Sequence, residues 1–300
     1  MKFQGADVLK SSKIILENTV EKILLFSALL SIISVVFITV FIFQEGLPLF
    51  AKVSPLKFLF SSTWEPTAEI PQYGILPFIM GSIWVTVGAL ILSVPVGLAV
   101  GIFMAEMAEG KIADILRTVV ELLAGIPSVI YGLFGYIAIS PVIRVLFKSP
   151  TGLGVLTASI VLAIMTLPTI INITEVSLRA VPHELKEGSL ALGATHWMTI
   201  YRVMIPTARS GILAGIVLGM GRAIGETMAV LMVAGNAVTM PKGPLSLTRT
   251  LTMNIATDMK YAADDHAVSL FTTGIVLFVF ILGINTLVQY LMKKAVREDV

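Results

Sequence analysis

The chain has 300 residues, of which 56% are hydrophobic and only 13% are charged, and its mean hydropathy is +0.92. Soluble domains carry about 25% charged residues, so this composition excludes an ordinary soluble domain and indicates a membrane protein. The net charge of +2 does not favour a nucleic-acid-binding protein, and the absence of cysteine excludes disulfides and thiolate metal sites.

Six apolar segments are long enough to cross a bilayer, which requires about 20 residues. They predict an all-α membrane protein with spans at 23–44, 78–104, 122–143, 149–174, 210–235 and 267–292. Pro71 and Pro77 are expected to precede the second span, and Pro95 inside it predicts a kink. No small-residue cleavage site follows the first apolar run, so we expect it to remain as a span.

The distribution of positive charge predicts the orientation. Thirteen of the 21 Lys and Arg residues fall on the side that carries both ends of the chain, and seven fall on the opposite side. Cytoplasmic loops are enriched in Lys and Arg, so 1–22 and 293–300 are predicted to be cytoplasmic segments of a protein in the cell (inner) membrane. The external loops, roughly 45–74 and 238–266, are long enough to carry short helices against an external partner.

The predicted cytoplasmic loop between the fourth and fifth spans has strong helix signals. A helix is predicted over 183–192, with Gly193 ending it in a left-handed cap. Thr195 is suited to cap a second helix over 196–204, which Pro206 is expected to stop. The sequence therefore predicts two short helices joined by a glycine turn.

Apolar residues lie on both faces of this predicted hairpin. They are Leu185, Leu190, Leu192, Trp197, Ile200 and Val203. Such a surface is expected to be covered, either by lipid headgroups or by a protein partner, and the residues alone leave both interpretations open. A DNA-binding helix-turn-helix is disfavoured, because few basic residues face outward.

The same loop resembles the "EAA" loop of ABC-importer permeases, which reads Glu-Ala-Ala-x-x-x-Gly, nine residues, then Ile-x-Leu-Pro. The glutamate, glycine and proline and all the spacings hold here, whereas glycine and serine replace the two alanines and isoleucine replaces the leucine. The resemblance implies that this loop docks into a groove on a separate ATPase subunit. The coupling residues it implies are Glu187, Gly188, Ser189, Ala191, Gly193 and Pro206.

The sequence offers no catalytic constellation. It lacks G-x-x-x-x-G-K-[ST], G-x-S-x-G and H-E-x-x-H, so we expect no enzyme activity and no cofactor of its own, with ATP bound by a partner. His183, His196 and His266 have no metal-ligand spacing, and no metal site is predicted. Asp264 and Asp265, next to His266, are interpreted as an exposed cap before the sixth span.

Three stretches, one of which is the coupling loop, resemble the permeases of the phosphate-specific ABC importer. They are AGIPSVIYGLFG (124–135), the coupling loop, and LGMGRAIGETMAVLMVAGN (218–236). Met-Ala-Val after Gly-Glu-Thr resembles the PstC type of subunit, whereas the paired PstA type has Ala-Pro there. The resemblance is closest over about 75–240.

This resemblance implies a type I importer permease (MetI-like) fold, with a first helix at 23–44 and a five-helix core at 75–292. It also implies a set of partners. These are a PstA-like permease in a heterodimer, two PstB-like ATPase subunits, and a PstS-like phosphate-binding protein on the outside.

Arg222 and Glu226 are charged residues inside the fifth span, near the middle of the bilayer, where an arginine costs about 2.5–3.5 kcal/mol. Four residues apart, they are expected on one helix face. They form either an intrahelical ion pair at the interface with the partner permease, or a phosphate path in which Glu226 competes for the guanidinium. The resemblance favours the path, because these positions are regarded as important for transport. Ser128 and Thr227 are also predicted to line this path.

Other small and charged residues have a plain and a sharper interpretation. Glycines of the fifth span form two series with a four-residue spacing, which predicts close helix packing or a hinge. The series are Gly211, Gly215 and Gly219, and Gly221 and Gly225. Ser128 is expected to satisfy a carbonyl freed by Pro127 or to face the path. Glu175 and Arg179 are interpreted as a surface ion pair.

Three functions are consistent with these features. The first is the permease subunit of an ATP-driven phosphate importer. The alternatives are the paired PstA-type subunit or a permease for another oxyanion or a polyamine, and a secondary transporter that uses Arg222 and Glu226 for proton coupling.

Overall fold

The computed structural model describes residues 4–297, with side chains described for 18–287, 289 and 290. Residues 1–3 of the predicted amino-terminal segment and 298–300 of the predicted tail lie outside the described residues. The helices found are α1 (Gln4–Gly46), α2 (Pro55–Phe60), α3 (Leu76–Glu106), α4 (Gly110–Gly125), α5 (Ser128–Phe134), α6 (Ser140–Leu146), α7 (Val155–Arg179), α8 (His183–Ala191), α9 (His196–Thr199), α10 (Ile205–Gly225), α11 (Met228–Val233), α12 (Leu251–Asp258) and α13 (Asp264–Arg297).

Short irregular elements complete the chain. Leu47–Ala51 forms a 3₁₀ turn, and Gly135–Ile139 and Ile200–Met204 form π-turns. Strands β1 (Trp64–Glu65) and β2 (Gln72–Tyr73) pair antiparallel, with Trp64 opposite Tyr73.

Six helical segments of the described chain are long and apolar enough to cross a membrane, as predicted. They are Asn18–Ala51, Leu76–Glu106, Ser128–Leu146, Val155–Arg179, His196–Gly225 and Asp264–Leu287. An even number of crossings places both ends of the described chain on one side, together with α8 and α9. We call this the hairpin side, and we call the side that carries 47–75 and 234–263 the loop side.

Two predicted span boundaries are wrong for reasons of backbone conformation. The third span starts at Ser128, because Ile126 and Pro127 are extended and end the preceding helix. The fourth span starts at Val155 and runs to Arg179, because the preceding Gly152 and Gly154 adopt positive φ values of 72° and 136°. The second span starts at Leu76, with Pro77 in the first turn, where its missing N–H is tolerated.

Helix α7 lies at the centre of the fold, between α3 and α10, because small residues let the helices approach. A Cβ added at Gly97 of α3 would lie 2.7 Å from Ile170, so α3 and α7 pack with no space between them. Gly219 of α10 meets the same Ile170, at 3.1 Å, and Gly215 meets Ile173 at 3.0 Å. The packing role is confirmed for these glycines, and Gly211 likewise meets Ser177.

Helix α1 lies at the periphery, where its described apolar side chains are mostly exposed. Its last turns contact α13, and Phe41 and Phe43 pack edge-to-face on Phe271 and Phe278. Most of its surface is therefore available to lipid.

The predicted short helices of the loop side are confirmed as α2 and α12. They pack with the β-hairpin and the starts of α3 and α13 in an apolar cluster of Leu49, Phe58, Trp64, Tyr73, Ile75, Phe78, Leu251 and Leu270. His266 was predicted to be exposed, but its side chain is only 12% exposed and packs on Trp64. Asp265 hydrogen-bonds to Lys52 at 2.6 Å, which raises the pKa of Lys52.

Gly97→Val should destabilise the fold by about 1–3 kcal/mol, the usual cost of overpacking a tight contact, because its side chain would collide with Ile170. The measurement is the thermal midpoint of the purified protein in detergent. Gly283→Val is the matched control, since a Cβ at the exposed Gly283 of α13 meets nothing within 4 Å. An equal loss in both variants would contradict the packing role.

Candidate functional site

The fifth span is interrupted where Arg222 and Glu226 lie. Helix α10 ends at Gly225, Glu226 is extended (φ −71°, ψ 132°), and α11 begins at Met228. The predicted continuous helix to 235 is therefore wrong. The Glu226 carboxylate accepts the N–H of Ala229 at 3.0 Å, and the Glu226 carbonyl accepts the Thr252 hydroxyl at 2.9 Å. These bonds replace the intrahelical ones that a continuous helix would make.

The interruption separates the two charges that were expected on one helix face. Within the described residues, no ion pair joins Arg222 to Glu226, and the Glu226 carboxylate caps α11 instead. Arg222 lies in the last turn of α10 and is exposed in the single chain. A cation is favoured at that position by the helix dipole, and its guanidinium remains available to another group.

The chain is also interrupted immediately before the third span. Helix α4 ends at Gly125, and the Leu123 carbonyl accepts a hydrogen bond of 2.6 Å from the Tyr131 hydroxyl. We expected Ser128 to satisfy the carbonyl freed by Pro127, but Tyr131 does so. The half-buried Ser128 begins α5.

The two interruptions lie at the same level of the molecule. A Cβ at Gly132 of α5 would lie 2.9 Å from Ala229 of α11, and one at Gly135 would lie 2.9 Å from Val233. The helices α5 and α11 therefore run side by side in the same direction. Ser128 precedes Gly132 by four residues and Gly225 precedes Ala229 by four, so the two interruptions lie within about one helical turn of the same level.

Arg222 belongs to this same region. It lies three residues before Gly225 in α10, Glu226 and Thr227 follow that glycine, and Ser128 begins α5. We call these four predicted residues, with the interruptions 126–127 and 225–227, the path site.

The path site lies near the middle of the spans. Ala223, next to Arg222, packs in one cluster with Val85 and Ala89 of α3, which is about 10 to 13 residues into that 31-residue helix. A charge at this depth faces protein or a water-filled space rather than lipid. The exposed face of α10 at Arg222 is therefore the face of a path or of another subunit.

Both ends of α11 are held by residues 248–252, which we call the clamp. The Thr248 N–H donates to the Ala234 carbonyl at 2.9 Å, just after α11, and Thr252 donates to Glu226 just before it. The clamp is itself fastened to α3, because the Leu251 N–H donates to Ser82 Oγ at 3.0 Å.

A buried arginine in the clamp is not among the predicted site residues. Arg249 is 8% exposed, donates to Asn236 at 2.8 Å, Asn254 at 2.9 Å and Asp258 at 3.1 Å, and stacks over Phe78. The one signal in the sequence was an arginine and an aspartate nine residues apart in a loop with few charges. Loop residues are normally solvated, so the sequence favoured an exposed charge.

The predicted hairpin is confirmed up to its last residue. Gly193 has a φ of +84°, and Thr195 Oγ1 accepts the Met198 N–H at 3.2 Å. The expectation that Pro206 stops the second helix is wrong. The π-turn Ile200–Met204 widens the helix immediately before Pro206, which accommodates the ring and the missing N–H, and the helix continues as α10.

The hairpin presents an uncovered apolar surface on the hairpin side. Leu192 is 91% exposed, Trp197 60% and Tyr201 66%. The hydroxyls of Ser189 and Thr199, 3.0 Å apart, hold α8 against α9. Five of the six predicted coupling residues are exposed, and Ser189 is half-buried. The exposed residues are Glu187, Gly188, Ala191, Gly193 and Pro206.

Two buried carboxylates connect the spans beneath the hairpin. Glu106, at the end of α3, accepts a hydrogen bond of 2.6 Å from Lys186 of α8. Glu175 accepts Arg117 at 2.8 Å and Arg179 at 2.9 Å, and its side chain is 7% exposed. The predicted pair of Glu175 and Arg179 exists, but it is buried on its acidic side. The hydrogen bond to Glu175 also raises the pKa of Arg117.

Comparison with known proteins gives consistent results. Residues 97–297 match the family model of the binding-protein-dependent transport system inner membrane component. The chain is 41% identical to the probable ABC transporter permease protein YqgH of Bacillus subtilis, over 89% of this chain and 88% of that one. It is 33% identical to the phosphate transport system permease protein PstC of Xylella fastidiosa, over 83% and 82%.

Solved structures share the fold. An inward-facing MetNI methionine ABC transporter matches with a TM-score of 0.58 at 18% identity, over 74% of this chain and 97% of that one. A bacterial ABC transporter that imports alginate matches with a TM-score of 0.58 at 13% identity, over 93% and 98%. The MetI-like importer-permease fold predicted from the sequence is confirmed.

Tyr131→Phe should lower the stability of the protein by about 0.5–1.5 kcal/mol, because it removes the 2.6 Å bond to the Leu123 carbonyl, which keeps only the longer bond of 3.3 Å from the Ile126 N–H. The thermal midpoint in detergent measures this change. Tyr136→Phe, at a 53% exposed position in the same span, should leave the midpoint unchanged. An unchanged midpoint in Tyr131→Phe would show that the interruption 126–127 does not depend on this bond.

Proposed function

This chain belongs to the family of binding-protein-dependent transport system inner membrane components, and we propose that it is the PstC-type permease subunit of an importer that moves inorganic phosphate into the cytoplasm. It is a multi-pass membrane protein and the permease subunit of an ABC transporter rather than an ATPase. Relatives named PstC, 33% and 35% identical to this chain, support phosphate as the substrate.

The observation that carries the proposal is the guanidinium of Arg222, exposed at mid-span beside two level helix interruptions. Guanidinium binds two phosphate oxygens at once in a planar fork. The hydroxyls of Ser128 and Thr227 lie at the same level as further donors. Glu226, held by the Ala229 N–H, keeps a negative charge near the path, so that the anion is bound only transiently.

The uncovered hairpin supports a cytoplasmic ATPase partner. An apolar surface with Leu192 and Trp197 at its tip is expected to be covered by protein. We propose that the hairpin docks on a PstB-like ATPase, present in two copies, which binds the ATP. This places the hairpin side, and with it both termini, in the cytoplasm.

The remaining partners follow from the same proposal. The family is that of transporter complexes with several subunits. Here the other permease is a PstA-like chain in a heterodimer with this one. A PstS-like phosphate-binding protein delivers the anion to the loop side.

Arg222→Gln should reduce phosphate uptake by roughly ten- to a hundredfold, because a hydrogen bond to a charged group contributes about 1.5–3 kcal/mol. Arg222→Lys should keep part of the uptake, since ammonium retains the charge without the fork. Uptake is measured in proteoliposomes that contain the assembled complex, with and without ATP. Arg144→Gln, at an exposed position, is the control. Near-normal uptake in Arg222→Gln would remove Arg222 from the path, and uptake without ATP would favour a secondary transporter.

Leu192→Asp should abolish co-purification of the ATPase subunit, because it places a charge at the most exposed apolar position of the hairpin. Leu56→Asp makes the same change at a 69% exposed position on the loop side and should leave the ATPase bound. The measurement is the amount of ATPase recovered per permease after purification from membranes. Equal recovery from both variants would show that the hairpin rests on lipid.

A further inference from the structure

We propose that Glu106 is a positioning residue for transport, through which α3 carries movement of the hairpin to the far side of the path site. This inference rests on the proposed function, because it requires an ATPase that moves the hairpin. The interruption 225–227 has two sides, and the structure connects each of them to the hairpin by a different route.

The first route is covalent. Helix α9 of the hairpin continues through the π-turn Ile200–Met204 into α10, which ends at Gly225. Any displacement of α9 therefore reaches the hairpin side of the interruption directly.

The second route starts at the contact between Lys186 and Glu106. The Glu106 carboxylate has a side-chain exposure of 5% and lies 2.6 Å from Lys186 Nζ, with His196 Nε2 at 3.9 Å. A buried carboxylate with a close cation is costly to separate. By contrast, the pair of Lys52 and Asp265 has the same length but exposures of 63% and 44%, and exposed pairs contribute little. Lys186 thus holds α8 firmly against the end of α3.

Helix α3 then runs without a break from Glu106 to the clamp. Pro95 lies inside this continuous helix, and the nearby Gly97 and Gly101 seat it on α7 without room for a Cβ, so the packing on α7 supports the helix where the proline removes a backbone hydrogen bond. From Glu106 to Ser82 it spans 24 residues, or about 36 Å at the rise of an α-helix.

At its other end α3 is hydrogen-bonded to the clamp, and the clamp is hydrogen-bonded to the residues at both ends of α11. Ser82 accepts the N–H of Leu251, and the added Cβ of Gly81 would meet the Arg249 carbonyl. The next clamp residue, Thr252, donates to the carbonyl of Glu226. The loop-side half of the interruption is therefore fastened to α3, and the hairpin-side half belongs to α10.

The two routes give the Glu106–Lys186 contact a specific role. While it is intact, movement of the hairpin displaces α10 and α3 together and so changes both sides of the interruption in a fixed relation. When it is broken, α3 follows the hairpin only through its packing on α7, so nucleotide-driven movement no longer changes both sides of the interruption in a fixed relation. ATP hydrolysis then continues with little transport.

The test uses the complete complex, purified with its ATPase and second permease and reconstituted in liposomes. Because the chain contains no cysteine, a Met228→Cys background supplies one maleimide-reactive probe on this subunit, at the exposed start of α11. The readouts are ATP hydrolysis, phosphate uptake, and the change in maleimide reactivity of this probe on trapping with ATP and vanadate.

Glu106→Gln and Lys186→Met should each retain ATP hydrolysis but lower uptake by about tenfold or more, a usual size for coupling between sites, and lose the ATP-dependent change in probe reactivity. The double variant Glu106→Lys with Lys186→Glu should restore both, because it re-forms the ion pair. Retained ATP hydrolysis together with a lost probe response in the single variants is the result that a merely structural role would not produce. Thr252→Val, which releases the clamp from Glu226, should repeat the effect of Glu106→Gln. Lys52→Met is the control and should change nothing.

Coupled uptake and a normal probe response in Glu106→Gln would overturn the inference, and so would a double variant that fails to restore them. These outcomes differ from a failure of the proposed function. If the wild-type complex hydrolyses ATP and changes the maleimide reactivity of the probe without moving phosphate, the proposed substrate is wrong. The proposed role of Glu106 is then tested by the probe response of the variants alone.

Discussion

The path site depends on one constraint, which is that backbone polar groups inside a bilayer must be paired within the protein. The chain is interrupted just before the third span and again at 225–227, and each interruption frees such groups. Tyr131 donates to a carbonyl of α4, while the carboxylate of Glu226 accepts the Ala229 N–H and the hydroxyl of Thr252 donates to the Glu226 carbonyl. Without these side chains, unwound backbone at this depth would be too costly to persist.

Charge is distributed in a way that separates support from function. The buried charges Glu106, Glu175 and Arg249 all have close partners of opposite sign or hydrogen-bonding neighbours, as burial of a charge requires. Within the described residues Arg222 differs, because it is exposed at mid-span and its nearest acidic neighbour in sequence is engaged elsewhere. That contrast, rather than the presence of an arginine alone, is the reason for which we propose it as a group that binds a passing anion.

Close helix packing makes this arrangement capable of moving as a unit. Glycines of α3 and α10 bring both helices into contact with α7, where Gly97 and Gly219 meet the same Ile170, and the clamp then joins α3 to α11. Tightly packed elements transmit displacement rather than absorb it. The hairpin, the central helices and the path site are thus parts of one connected body with a weak point at 225–227.

The sequence alone determined the number of spans and the glycine turn and Thr195 cap of the hairpin, because hydrophobic length and capping chemistry are local properties. It did not reveal that Glu226 caps α11 instead of pairing with Arg222, or that Arg249 is buried. It also did not reveal that Tyr131 rather than Ser128 donates to the carbonyl freed by Pro127. Only the tertiary structure decided these points. Their partners lie far along the chain, as with Thr252 for Glu226 and Leu251 for Ser82, 169 residues apart, and a hydrogen bond between distant segments leaves no periodic trace in the sequence.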